Sequence, residues 1–133
     1  MLFRSKNLYG ETPVLGLVEA GFPSPAEEEL VDTMNLDDYL VENKEATYIL
    51  KVKGDSMIDA GICEGDMVIV ERKEVPKVGE IVIAEVDGEW TMKYLRKRGG
   101  RFYLEPANKN YRPIMPKDDL KIAAVVRAVV RKY

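Results

Sequence analysis

Between Glu80 and Glu105 the chain alternates apolar and polar residues in three runs, broken only at Asp87-Gly88 and Gly99-Gly100. A two-residue loop of this kind needs positive φ at both positions, which glycine and aspartate tolerate, and it joins antiparallel strands. Parallel strands need a crossover of a dozen residues or more, and no such length separates these runs. The pattern therefore predicts strands over Glu80–Val86, Glu89–Leu95 and Arg101–Glu105. In the middle one Trp90, Met92 and Tyr94 share one face, and Thr91, Lys93 and Leu95 share the other. Thr47–Lys53 and Met67–Arg72 also read as strands, as does Leu120–Arg131 with its many β-branched residues. At 133 residues the chain is long enough for one domain with a core of its own. The expected fold class is mainly β: a twisted, mostly antiparallel domain with a flexible N-terminal arm and short helices.

Three segments follow from that reading: an arm over residues 1–20, a hinge with short helices over 21–45, and the β-rich body over 46–133. In the arm, Gly10, Pro13 and Gly16 interrupt any helix, and a strand is expected near Val14–Val18. The prolines of Phe22-Pro23-Ser24-Pro25 stiffen the hinge and push their preceding residues toward extended geometry. Ser24, Pro25 and Glu27 then spell a helix start, with serine as the cap, proline at the first turn and glutamate closing a capping box. That helix is expected to reach about Asp32, with a second over Leu36–Asn43. The arm is expected to be the most mobile part of the chain.

The absence of histidine removes most hydrolytic chemistry. No Ser-His-Asp triad, Cys-His pair or His-based zinc site is available. A single cysteine, Cys63, builds neither a disulfide framework nor a thiolate metal site, and it fits a reducing cytoplasm. No cofactor and no metal are expected. No apolar run approaches the ~18–20 residues of a membrane span, so no membrane association is expected. Residues 21–45 hold eight acidic groups against Lys44 alone, whereas 46–133 carry 17 basic and 13 acidic residues. An excess that small predicts no strong direct DNA binding.

Any nucleophilic chemistry must then use lysine or a carboxylate as its base. Ser56 follows Gly54-Asp55 between two strand-like runs, where a turn keeps a hydroxyl exposed on a rigid support. A serine in such a loop more often just satisfies backbone groups. Lys93 lies inside a strand, where lysine more often points to solvent. If Lys93 faces inward, desolvation lowers its pKa, and a neutral amine can take the proton of a serine hydroxyl. Ala20-Gly21, a small residue before glycine between Val18 and Pro23, reads as an accessible extended peptide bond.

Taken in this order and spacing, Ala20–Ala26, Gly54–Ile62 with Gly65-Asp66, Gly79–Glu89 and Thr91–Leu95 resemble the self-cleaving serine–lysine peptidases of the LexA/UmuD (S24) family. Leu104–Asn108 and Tyr111–Ile114 extend the likeness over nearly the whole chain. Phe22–Ala26 and Ala46-Thr47-Tyr48 are similar to UmuD, whereas Ala20 before the glycine is as in LexA. The resemblance implies that Ser56 attacks the Ala20 carbonyl, that Lys93 accepts its proton, and that the N–H groups of Ser56 and Asp55 hold the oxyanion. It also implies cleavage at Ala20-Gly21 promoted by a RecA filament on single-stranded DNA. A processed homodimer would then join a UmuC-like Y-family DNA polymerase in translesion synthesis. The apolar residues on both faces of Leu120–Val130 are read as a dimer-forming strand. The alternatives are a LexA-like or phage-type repressor, a signal peptidase, and a β-domain that only binds partners.

Overall fold

The computed structural model describes residues 10–28 and 32–133. The chain divides between Glu42 and Asn43 into two compact units. The larger is built on one six-stranded antiparallel sheet. Its strands are β3 (Thr47–Lys51), β4 (Met67–Arg72), β5 (Ile81–Val86), β6 (Glu89–Arg98), β7 (Arg101–Glu105) and β8 (Leu120–Val130), in the spatial order β3-β4-β8-β5-β6-β7. The fold is mainly β, as the alternation predicts. Both glycine turns join their strands directly, with φ of +48° and +91° at Asp87 and Gly88 and +58° and +80° at Gly99 and Gly100. The Asp87 carboxylate accepts from the N–H groups of Lys117, Asp118 and Asp119, tying that turn to the approach of β8.

Alternation along β5 sorts the core into two. Val82, Ala84 and Val86 pack with Leu95, Leu104 and Val125 on one face of the sheet. Ile81 and Ile83 lie against the other face, where Met57, Ile62, Val68, Val70 and Ala124 are buried. β8 pairs with β4 on one side and β5 on the other, with a bulge in each ladder. β5 pairs with it over Leu120–Val125 and β4 over Ala124–Val130, so Ala124 and Val125 are buried while Val129 stays 40% exposed.

In the smaller unit β1 (Glu11–Pro13) pairs antiparallel with β2 (Thr33–Asn35). The strand expected near Val14–Val18 thus lies earlier, because Gly16 at φ +101° breaks the extended run. Val18–Ala20 forms a 3₁₀ turn closed by the Gly21 N–H on the Val18 carbonyl at 3.1 Å. The helix at Pro25–Glu28 opens on the expected capping box: Ser24 N–H donates to Glu27 Oε1 at 2.8 Å, and Glu27 N–H to Ser24 Oγ at 3.3 Å. Its expected continuation through 29–31 falls outside the described residues, as do residues 1–9 of the arm. Asp32 is not helical: its carbonyl accepts from Val14 N–H and prolongs the β1-β2 ladder. The second helix stops at Leu40, short of the expected Asn43, where Val41 turns extended.

Candidate active site

Met57 is what delivers Ser56. The Met57 side chain is almost fully buried in the second core, so the residue before it is carried on a fixed point. Gly54, at φ +83°, reverses the chain just ahead in a conformation that costs an L-residue ~1–2 kcal/mol. Its N–H donates to Glu64 Oε1 at 2.7 Å. Ser56 itself is half-buried, and its carbonyl accepts from Ala107 N–H at 2.9 Å. The Asp55 carbonyl accepts from Asn108 Nδ2 at 2.9 Å and from Ile58 N–H at 3.2 Å. Among the described residues the N–H groups of Asp55, Ser56 and Met57 donate to no acceptor. A row of uncommitted N–H groups beside a hydroxyl is what an oxyanion site requires.

The loop that leaves this turn is clamped from the end of β8. Arg131 donates from Nε and Nη2 to the two oxygens of Asp66, each at 2.8 Å, and from Nη2 to the Gly61 carbonyl at 2.8 Å. Asp66, only 3% exposed, also accepts from Cys63 N–H at 2.8 Å. The Arg131 guanidinium and then the Cys63 N–H hold the Asp66 carboxyl down to about 2.

Lys93 faces inward. It lies opposite Val82 in the β5–β6 register, on the face that buries Val82, Ala84 and Leu95, and is 8% exposed. Burial alone holds its ammonium below the usual lysine value. Its Nζ contacts Thr91 Oγ1 at 2.6 Å, and among the described residues no carboxylate pairs with it. A hydroxyl partner orients the amine without stabilising its charge, as a carboxylate would. Among the described hydrogen bonds none joins Ser56 to Lys93. Ala20-Gly21 belongs to the smaller unit, where the expected extended bond is instead the end of the 3₁₀ turn, with Gly21 at φ +78° and ψ −168°. Val18 and Phe22 on either side are largely exposed.

Four further residues belong to this neighbourhood. Thr91 was legible as a same-face neighbour of Lys93. Asn108, Tyr111 and Arg131 were not, because they are distant in sequence from what they hold. The Tyr111 hydroxyl donates to the Asp55 carboxylate, which pushes the tyrosine pKa up. A cavity of about 280 Å³ opens among Asp59, Glu105, Asn108, Lys109 and Tyr111, and neither Ser56 nor Lys93 lines it. Among the described residues no cluster of acidic, cysteine or histidine side chains is placed to hold a metal, and no helix is long and apolar enough to cross a membrane.

The chain is thus a mainly antiparallel β-domain that carries an uncommitted serine turn and a buried, carboxylate-free lysine. The Peptidase S24-like family model matches residues 13–127, and the chain belongs to that family. It is 41% identical over 132 residues to the LexA repressor of Acetivibrio thermocellus, covering 96% of this chain and 62% of that one. With the LexA repressor of Clostridium perfringens it shares 43% identity over 123 residues, 92% of this chain and 60% of the relative. With that of Streptomyces clavuligerus it shares 45% over 120 residues, 90% and 49% respectively. The chain thus spans roughly half to three-fifths of the length of these relatives.

Proposed function

We propose that this chain is the self-cleaving serine–lysine peptidase part of a LexA-like regulator and cuts its own Ala20-Gly21 bond. The observation that carries the reading is Lys93: a buried lysine with a hydroxyl partner and no acid gains nothing for stability, and its one evident use is as a neutral base. Lys93 Nζ would remove the proton of Ser56 Oγ as the oxygen attacks the Ala20 carbonyl carbon. The negative charge on the former carbonyl oxygen would meet the N–H groups of Asp55 and Ser56. Lys93, now protonated, would pass its proton to the Gly21 nitrogen as the C–N bond breaks. Water, deprotonated by Lys93 in turn, would release the Ala20 acyl group from Ser56. The products are residues 1–20 and 21–133.

The repressor names of the relatives favour a regulator whose cleavage ends repression. Activation by a RecA filament on single-stranded DNA, a cytoplasmic address and a homodimer belong to this proposal through the family likeness. The exposed Tyr48, Ile49 and Leu50 of the edge strand β3, and the exposed Val129 of β8, support the dimer. Sedimentation of a single 15 kDa species at micromolar concentration would count against it. The UmuD-type reading, with a UmuC-like polymerase as partner, rests on the likeness of Phe22–Ala26. Retention of a Y-family polymerase by the 21–133 product separates it from the repressor reading. Incubation at pH 7 to 10, with and without a RecA filament on single-stranded DNA, tests the chemistry: a new N-terminus at Gly21, lost in Ser56→Ala, is the expected result. A product beginning elsewhere, or cleavage surviving in Lys93→Ala, overturns it.

A further inference from the structure

The Asp55–Ser56 peptide carries both a fixed acceptor and a free donor. Its carbonyl is held by Asn108 Nδ2 at 2.9 Å, and its N–H, that of Ser56, has no described acceptor. A peptide unit is planar and trans, so the direction of the oxygen dictates the direction of the N–H on its opposite side. From this we propose that Asn108 is a positioning residue which sets the aim of the oxyanion donor. Its catalytic consequence rests on the self-cleavage reading above; its structural consequence does not.

Asn108 is suited to this by burial and by its own satisfaction. It is 8% exposed, and its Oδ1 accepts from Asn110 N–H at 2.9 Å. That bond assigns which end of the carboxamide faces Asp55, since only the nitrogen can donate to a carbonyl. The segment around it grips the same turn twice more. Ala107 N–H donates to the Ser56 carbonyl at 2.9 Å, and Asp59 N–H donates to the Ala107 carbonyl at 2.7 Å. Both peptides flanking the Ser56 Cα are therefore oriented from one loop. A donor on the Asp55 carbonyl also polarises the amide and strengthens its N–H as a donor. Tyr111, on the Asp55 side chain and more exposed, fixes the residue rather than the peptide. Asparagine suits this position specifically. Aspartate at 108 would set a carboxylate against a carbonyl oxygen, and an apolar residue would remove one of that oxygen's two donors.

The test uses the full chain as wild type, Asn108→Ala, Asn108→Ser and Tyr111→Phe, with ¹⁵N spectra and cleavage followed by mass from pH 7 to 10. For Asn108→Ala the Ser56 amide resonance is expected to move upfield. The high-pH plateau rate should fall about 10–100-fold, as for a misaimed catalytic group. The pH midpoint should stay put, because Lys93 is untouched. Asn108→Ser answers the same questions if alanine does not fold, and Tyr111→Phe should lose less. An unmoved Ser56 resonance, or a wild-type plateau in a folded Asn108 variant, overturns the proposal. A wild type that never cleaves, with the resonance still moved, overturns self-cleavage and upholds the positioning role.

Discussion

Residues 43–133 and residues 10–42 are held in opposite ways. The first bury side chains on both faces of a six-stranded sheet. Among the described residues of the second none is buried, and its order comes from two three-residue strands, a capping box and the Asn35 cap on Leu36–Leu40. Ser56 and Lys93 thus stand on parts that cannot shift without disturbing a core. Ala20-Gly21 stands on local hydrogen bonds, each worth about 1 kcal/mol. The self-cleavage proposed above would use this contrast: rigid groups for the chemistry, and a substrate segment that changes conformation cheaply.

The largest effect should come from Ser56→Ala, with a loss of about 10⁴-fold or more in cleavage at every pH and an unchanged melting temperature. A parallel loss of stability would mean that the serine serves the fold. Next comes pH. Burial lowers the folded pKa of Lys93 below its unfolded value, so cleavage should rise with pH until the amine is neutral. For stability the unfolded chain binds the extra proton between those two values, so stability also rises with pH there, and the lysine opposes folding below them. Lys93→Met should therefore be inert yet melt a few degrees higher at pH 7. A lower melting point would show that the Thr91 contact outweighs desolvation.

Met57→Ala should cost about 2–5 kcal/mol in urea unfolding, by leaving a cavity under the Ser56 turn. A smaller cost would show that the turn does not depend on the core. For Asp66 the folded value of about 2 lies below the ordinary 3.8, so its stabilising contribution is complete above 3.8 and fades as pH falls toward 2. Arg131→Leu should lower stability at pH 7 and flatten the acid limb of a stability–pH curve over that window; an unchanged limb would break the assignment. The smallest effect is expected from Ser24→Ala. Faster exchange at the Glu27 amide, with the melting of 43–133 unaltered, would sharpen the contrast between the two units.

The β5–β6–β7 meander was legible because its turn residues and alternation are local: Asp87-Gly88 and Gly99-Gly100 tolerate positive φ by their own residue type. The same holds for the Ser24–Glu27 box. The missed features are those in which sequence distance hides spatial contact. Nothing near Leu120–Val130 says which strands it pairs with, and β4 and β5 join its two edges from distant parts of the chain. The strand expected near Val14–Val18 lies earlier because the Gly16 backbone, at φ +101°, ends the extended run.

What the sequence by itself determined was the menu: no histidine, hence lysine or a carboxylate for any base; alternating strands, hence an antiparallel sheet; Ser56 on a glycine turn. Alternation placed Lys93 with Thr91 and Leu95 but could not say which face was inside. That depends on register against β5, where Val82 and Ala84 lie opposite Lys93 and Thr91 and carry the buried side. Nor could it say that Asn108 and Tyr111 would grip a turn some fifty residues earlier in the chain. Period is a property of neighbours along a strand. Burial, and the aim of a peptide group, belong to whatever the folded chain sets against it.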